Sequence, residues 1–531
     1  MIHSIRGTRG MAVAPHSVAA QAALSILREG GNALEAAIAA TSTIAVVYPH
    51  MNGLGGDSFW LVYAPGRKPR GIEACGAAGA NATPEWYAER GITNGIPFRG
   101  GVAANTVAGT VSGWDMAFGL SRKWEGRLPL KRLLADAIYY AEHGIAVTRS
   151  QAVATATKRN ELETQPGFAA AFLPSGESPI EGAFFKQPRL AETLRRLSRG
   201  LSSFYRGRLA KSMARDLAAA GSPLTVDDLA AHRALLVAPL ELRHSLATVY
   251  NMPPPTQGVV SLLILGMLDA LRIGKVGAAS PEFIHLSVEA TKRAFAIRDR
   301  HVTDPEYMKV DAQNLLSPER IRRLASNVDT KKAAPWGGGH APSDTVWLGV
   351  VDSAGRAVSV IQSVYHEFGS GVVLDESGVM WQNRGCSFSL DPSALNFLTP
   401  RRKPFHTLNT ALAVFDDGRT MIYGTMGGDG QPQTQSAVFT RIAHFGLNPQ
   451  AAVSAPRWLL GRTWGQTSDT LKVEARFPGA VLMALGKLGH EIEVLQDYDE
   501  LMGHAGAIVH HLNGVLEGGA DPRSDGSVAA Y

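Results

Sequence analysis

The chain is short of cysteine: Cys75 and Cys386 are the only two in 531 residues. That excludes a disulfide framework and supplies too few thiolates for a structural zinc site, so both are expected as ordinary buried thiols. An excess of either charge is also missing. Against 52 Lys and Arg stand 47 Asp and Glu, a net charge of +5, and no basic run is long enough to track a nucleic acid or an anionic membrane. Neither partner is expected. The longest apolar stretch, residues 258–268, is closed by Asp269 and falls short of the roughly 20 residues that cross a bilayer. The first ten residues carry no apolar h-region, so neither export nor a signal anchor is supported and a cytoplasmic protein is expected. A serine-hydrolase elbow, G-x-S-x-G, does not occur, and there is no internal repeat.

What is present is 45% hydrophobic residues over a length that can bury a large core. Residues 16–28 have helical periodicity and stop at Gly30-Gly31, after which Asn32 and Glu35 form a capping-box pattern for a second helix reaching about Val46. Two antiparallel helices follow from this. Next come the glycine-rich turn 53–57 and a strand over 58–63. Residues 131–231 read as largely helical, and 281–300 as a helix with Glu289 meeting Lys292 and Arg293 on its surface. Residues 327–344, with two prolines and Gly337-Gly338-Gly339, read as a flexible linker. Immediately after it the period switches to two: strands over 345–351 and 356–365, then a hairpin from 411–415 and 420–424.

A threonine hydroxyl is a weak nucleophile and needs a base within hydrogen-bond reach. An α-amino group, with a pKa of about 7.7–8.0, is such a base, whereas a peptide nitrogen is not. A cut between Asp344 and Thr345 would therefore place nucleophile and base in one residue, at the start of a strand that fixes its hydroxyl.

The segment DTVWLGVVDSAGRAVSVIQSVYHEFGSG (344–371) resembles the nucleophile region of γ-glutamyltransferases. Co-linear stretches support the likeness: VYPHMNGLGGDSF (47–59), ANTVAGTVSGW (104–114), MPPPTQGVVSLLIL (252–265), ESGVMWQNRGCSF (376–388), RRKPFHTLNTALAVFDDG (401–418), YGTMGGDGQPQ (423–433) and GGADPRSDGSVAAY (518–531). The resemblance implies an α/β protein with the four-layer αββα sandwich of N-terminal-nucleophile hydrolases. It implies self-cleavage into a large fragment, 1–344, and a small one, 345–531, which share one core as a heterodimer and admit a dimer of heterodimers. It gives Thr345 the nucleophile's role, Ser363 that of a hydroxyl tuning it, and Gly427 and Gly428 that of oxyanion donors.

At the positions where the transferases read an α-amino acid, this sequence has changed: Cys75 stands for the Arg, Tyr365 for the Asn, Arg384 for the Gln, Ser387 for the Asp, and His406 and Thr407 for the Ser pair. Without that Asp no group is evident for an ammonium. Arg384 and His406 as cations, with hydroxyls from Tyr365, Ser387 and Thr407, suit a small acid with no α-amine. The N-terminal 31 residues, the 47–61 stretch and Asn383-Arg384-Gly385 resemble the family's oxamate-hydrolysing members, which implies oxamate to oxalate plus ammonia and a place in purine breakdown. No cofactor and no metal are expected; a metal hydrolase built on His504, His510 and His511 is disfavoured because adjacent strand residues point to opposite faces. Other readings are a γ-glutamyl hydrolase or transferase, a cephalosporin or glutaryl acylase, and an inactive binding protein that keeps the fold.

Overall fold

The computed structural model describes residues 3–337, 344–461 and 468–531, with only the backbone of Asp344. The two expected N-terminal helices form as Ser17–Arg28 and Ala33–Val47. Asn32 and Glu35 do close a capping box: Asn32 Oδ1 accepts from the Glu35 N–H at 3.1 Å, and Glu35 Oε2 accepts from the Asn32 N–H at 3.1 Å. The second helix is buried on every side, which is why its sequence is Ala, Ile and Val almost throughout rather than amphipathic.

Two antiparallel seven-stranded sheets make the centre. One runs, edge to edge, Ser527–Ala530, Gly10–Ala14, Asp344–Asp352, Ala357–Tyr365, Asp57–Tyr63, Arg70–Ala74 and Leu235–Val237; the other Ile5–Gly7, Leu516–Ala520, Ala505–His510, Thr420–Thr425, Ala411–Phe415, Ala247–Asn251 and Leu240–Arg243. Both hairpins expected from the sequence are central strand pairs here. Period two sorts their side chains. Val346, Leu348, Val350, Val358 and Val360 pack under the helices of the first half, while Trp347, Val351, Phe59, Ile361, Leu412 and Ile422 fill the space between the sheets. A third core, under Gly258–Ala270, Pro281–His301 and Gly430–Ala443, covers the other sheet. The layers are helix, sheet, sheet, helix.

Trp347 shows how closely the sheets meet. A Cβ at Gly424 would lie 2.1 Å from its Cδ1, and one at Gly506 2.3 Å from its Cζ3. Only glycine lets the indole sit flat against that part of the opposing sheet. Its Nε1 donates to Ser359 Oγ at 2.9 Å, so the ring is fixed as well as buried.

Two expectations change. Glu289 is not on a surface; it is fully buried, taking Lys292 Nζ at 2.7 Å and Arg293 Nη1 at 3.2 Å. The reason lies in the segment expected as a flexible linker. Ala334 N–H donates to Glu289 Oε1, Lys292 Nζ to the Ala334 carbonyl, and Ala333 N–H to the Leu488 carbonyl. Residues 333–334 are thus held against the helix Pro281–His301. The later part of that expected linker, 338–343, lies outside the described residues.

Candidate active site

Register brings three strand ends together. Ser363 pairs with Asp57, and Asp344 with Tyr365, while the pairing shifts between Asp344 and Val346. That bulge releases Thr345 from regular pairing, a device that re-aims a side chain at the end of a ladder. Thr345 is fully buried, and Gln431 Nε2 lies 3.5 Å from its Oγ1. Gln431 belongs to the helix Gly430–Ala443, in the layer that covers the other sheet, so this contact links Thr345 to that half of the fold. Ser363 is buried beside it, its Oγ accepting from the Tyr365 N–H at 2.8 Å.

The strand Thr420–Thr425 delivers the glycine pair. Gly427 (φ 121°) and Gly428 (φ 52°) are both left-handed, a conformation costly for any residue with a Cβ. Neither N–H donates to a protein acceptor among the described residues, which leaves both as candidate donors toward an oxyanion. Their position is set from behind. Gln257 Nε2 donates to the Gly428 carbonyl at 2.9 Å and to the Thr407 carbonyl at 2.7 Å, and its Oε1 accepts from Arg298 Nη1 at 3.1 Å. Arg298 in turn pairs with Asp429 at 2.8 Å, both within 2% of full burial.

The buried neighbourhood of Tyr365 and Thr407 carries a cation. Arg384 is 1% exposed, its guanidinium 3.6 Å above the Tyr365 ring and its Nη2 donating to Thr407 Oγ1 at 3.3 Å. Nη1 has no partner, and among the described residues no carboxylate lies within ion-pair distance. Tyr365 supports this stack from a strained φ of 84°. His406 is fully buried with neither ring nitrogen partnered, edge-on to Phe59. The expectation of a second cation there is corrected: burial, with the charges of Arg384 and Lys403 beside it, pushes its pKa well below the usual histidine value, so it is neutral. Ser387 is half-buried and its hydroxyl faces the Phe405 carbonyl at 3.4 Å, so the structure ties it to its own loop. Cys75 is buried as expected; Cys386 is only half-buried by its exposed surface.

The gamma-glutamyltranspeptidase family matches residues 19–531. The chain belongs to that family. It is 59% identical to the oxamate amidohydrolase proenzyme of Klebsiella pneumoniae, over 99% of both chains, and 41% identical to the glutathione hydrolase-like YwrD proenzyme of Bacillus subtilis, again over 99% of both. Among solved structures it is similar to the cephalosporin acylase from Bacillus halodurans, with a TM-score of 0.90 and 34% identity over 99% of this chain and 97% of that one. As a gamma-glutamyltranspeptidase-family member it has the αββα N-terminal-nucleophile hydrolase fold and acts on amide C–N bonds.

Within this family member the strand ends also collect a residue the sequence reading passed over. Asp57 opens its strand, 1% exposed; Oδ1 accepts from the Gly109 N–H at 2.9 Å and the Gly76 N–H at 3.2 Å, and Oδ2 lies 3.7 Å from His406 Nε2. Burial raises its pKa from 3.8 to about 7, with Arg384 opposing the rise. Asp57, Gln431 and Gln257 all fall inside stretches that carry the family likeness, so the signal was present; what was missing was the fold that sets Gln431 against Thr345, Asp57 against His406 and Gln257 behind Gly428.

His504, His510 and His511 do not gather: His504 is buried behind the glycine turn, where its carbonyl accepts from the Met426 N–H, and His511 pairs with Glu517. Two other groups come close enough to ligate a metal, His244 with Asp269 and His444, and His285 with Glu289 and His490. In the first, His244 Nδ1 accepts from the Leu246 N–H, which places the ring proton on the nitrogen facing Asp269. In the second, Glu289 is already neutralised by Lys292 and Arg293.

Proposed function

We propose that the chain is a self-processing amidohydrolase in which Thr345 is the nucleophile and the substrate is the amide of a small carboxylic acid, oxamate first among them. The observation that carries this reading is Arg384: a buried guanidinium with an unpartnered nitrogen and no carboxylate at ion-pair distance among the described residues. Leaving such a charge uncompensated costs several kcal/mol, so the pocket is built for an anion that arrives with the ligand. The close packing around it, with Thr345, His406 and Asp57 each at most 1% exposed, suits a ligand of few atoms. The 59% identity to an oxamate amidohydrolase proenzyme supports the same choice.

Processing would begin with the Thr345 hydroxyl adding to the Asp344 carbonyl. The peptide C–N bond breaks, the nitrogen leaves as the free α-amine, and the resulting ester is hydrolysed by water to the Asp344 carboxylate and the Thr345 hydroxyl. In turnover that amine takes the hydroxyl proton as Oγ1 attacks the amide carbon, and the Gly427 and Gly428 N–H groups receive the oxyanion. Collapse expels ammonia with the proton, and water releases the acid from the ester. The two fragments remain one heterodimer, because both contribute strands to both sheets. The two unpaired cysteines support a cytoplasmic setting.

One observation favours a second reading. Asp57 is a carboxylate able to meet an α-ammonium, which would admit γ-glutamyl substrates. The test is ammonia release from oxamate compared with glutamine, and aniline release from a γ-glutamyl anilide. Preference for oxamate by at least tenfold in kcat/KM is expected; preference for the γ-glutamyl compounds would overturn the assignment.

A further inference from the structure

Asp57, His406 and Arg384 share a buried corner in which each has an atom without a hydrogen-bond partner: Asp57 Oδ2, which lies 3.7 Å from His406 Nε2, both His406 ring nitrogens and Arg384 Nη1. Asp57 Oδ1 is saturated by the two backbone N–H groups of Gly76 and Gly109, which fix the carboxylate plane and leave Oδ2 as its only reactive edge. The carboxylate bearing most on Arg384 is Asp57, although the two are not in ion-pair contact.

An anion placed on Arg384 upsets that balance. Two negative charges would then face one cation in a dry space, where like charges repel strongly. His406 is neutral, so it adds no compensation, but one of its ring nitrogens can accept a hydrogen bond. We propose that Asp57 is a specificity-determining proton acceptor of this pocket: as a small carboxylate settles on Arg384, Asp57 Oδ2 takes one proton from solvent and donates it in a hydrogen bond to His406 Nε2. The inference rests on the reading of Arg384 given above. It means the pocket binds an anion together with a proton, and discriminates against a ligand whose own ammonium would need Asp57 ionised.

The other groups that bear on Asp57 are settled. Arg384 stays charged, and Cys75 and Tyr205 are kept neutral by burial that raises both. The Gln382 amide, whose Nε2 donates to the Val107 carbonyl at 3.0 Å, lies near enough to favour the ionised carboxylate. With Asp57 poised at about 7, its proton occupancy is open to change in the working range.

The experiment is calorimetric titration of the mature enzyme with oxalate at pH 6 to 8, in two buffers of different ionisation heat. Wild-type enzyme should take up close to one proton per oxalate at pH 8, and its Kd should weaken about tenfold from pH 6 to pH 8. Asp57→Asn keeps an oxygen for the two backbone N–H groups. It should show no uptake and a flat Kd, and at pH 8 should bind oxalate about tenfold more tightly than wild type, the opposite of what structural damage would do. Should Asp57→Asn not fold, Asp57→Ser takes its place, keeping an oxygen for the backbone N–H groups with no carboxylate to titrate; His406→Gln should retain the uptake, and its loss there would assign the proton to His406 and overturn the proposal. Absence of uptake by wild type overturns the proposal, as does uptake persisting in Asp57→Asn, which would assign the proton to the Thr345 amine. Oxalate binding that survives Arg384→Gln would instead overturn the reading of Arg384.

Discussion

A guanidinium stacked on an aromatic ring and closed off from water recognises shape as much as charge. Arg384 lies over Tyr365 and donates to Thr407, with one nitrogen left unpartnered. Lysine cannot reproduce that fork or the stack. Arg384→Lys should therefore raise KM for oxamate roughly 10- to 100-fold, about 1.4–2.7 kcal/mol, with kcat changed less; steady-state kinetics read the split. Asp57 should also leave a mark on stability. Its folded pKa of about 7 lies above its ordinary value, so the native state holds the proton more firmly than the unfolded chain. The stability this lends is present in full below about pH 4 and is lost as pH rises through 7. Asp57→Asn should accordingly have a higher Tm than wild type at pH 8 and lose that advantage toward pH 4, as thermal unfolding across pH will show. The family likeness singled out Arg384, Tyr365 and Thr407 in the sequence, and the structure brings the three into contact. The charge state of His406 was not legible there, because a histidine's neighbours and burial decide it and neither is written in the local sequence.

At the scale of elements, the strand pair Asp344–Asp352 and Ala357–Tyr365 was readable from its alternation of apolar residues, down to the turn between them. The bulge at its open end was not, since register depends on the partner strand. The strap at 333–334 escaped notice for a related reason: Gly and Pro composition suggests mobility, but Glu289, Lys292 and the Leu488 carbonyl, distant in sequence, tie the backbone down. Glu289→Gln, which leaves Lys292 buried without its counter-charge, should destabilise the protein by about 3 kcal/mol in urea unfolding. Intersheet contact is tested at Gly424. Adding the Cβ of alanine forces the Trp347 ring to move, and Gly424→Ala should lower stability by about 1–3 kcal/mol. Unchanged unfolding midpoints would show that neither contact matters as described.

For the molecule as a whole, the position of the proposed cut matters more than the size of the pieces. Residues from before the cut and after it contribute strands to both sheets, and strands Gly10–Ala14 and Asp57–Tyr63 flank the pair Asp344–Asp352 and Ala357–Tyr365. Cut protein should elute as one particle and unfold in one cooperative transition, because separating the fragments exposes the intersheet core. Two separable fragments in native buffer would contradict that architecture. The most direct measurement joins structure to chemistry in one sample: intact-mass spectrometry of the fraction of chains cut between Asp344 and Thr345, followed over time beside ammonia release from oxamate. Activity should rise in proportion to the cut fraction and be absent from Thr345→Ala, which should stay whole. Turnover by chains in which the Asp344–Thr345 bond is intact would contradict the account.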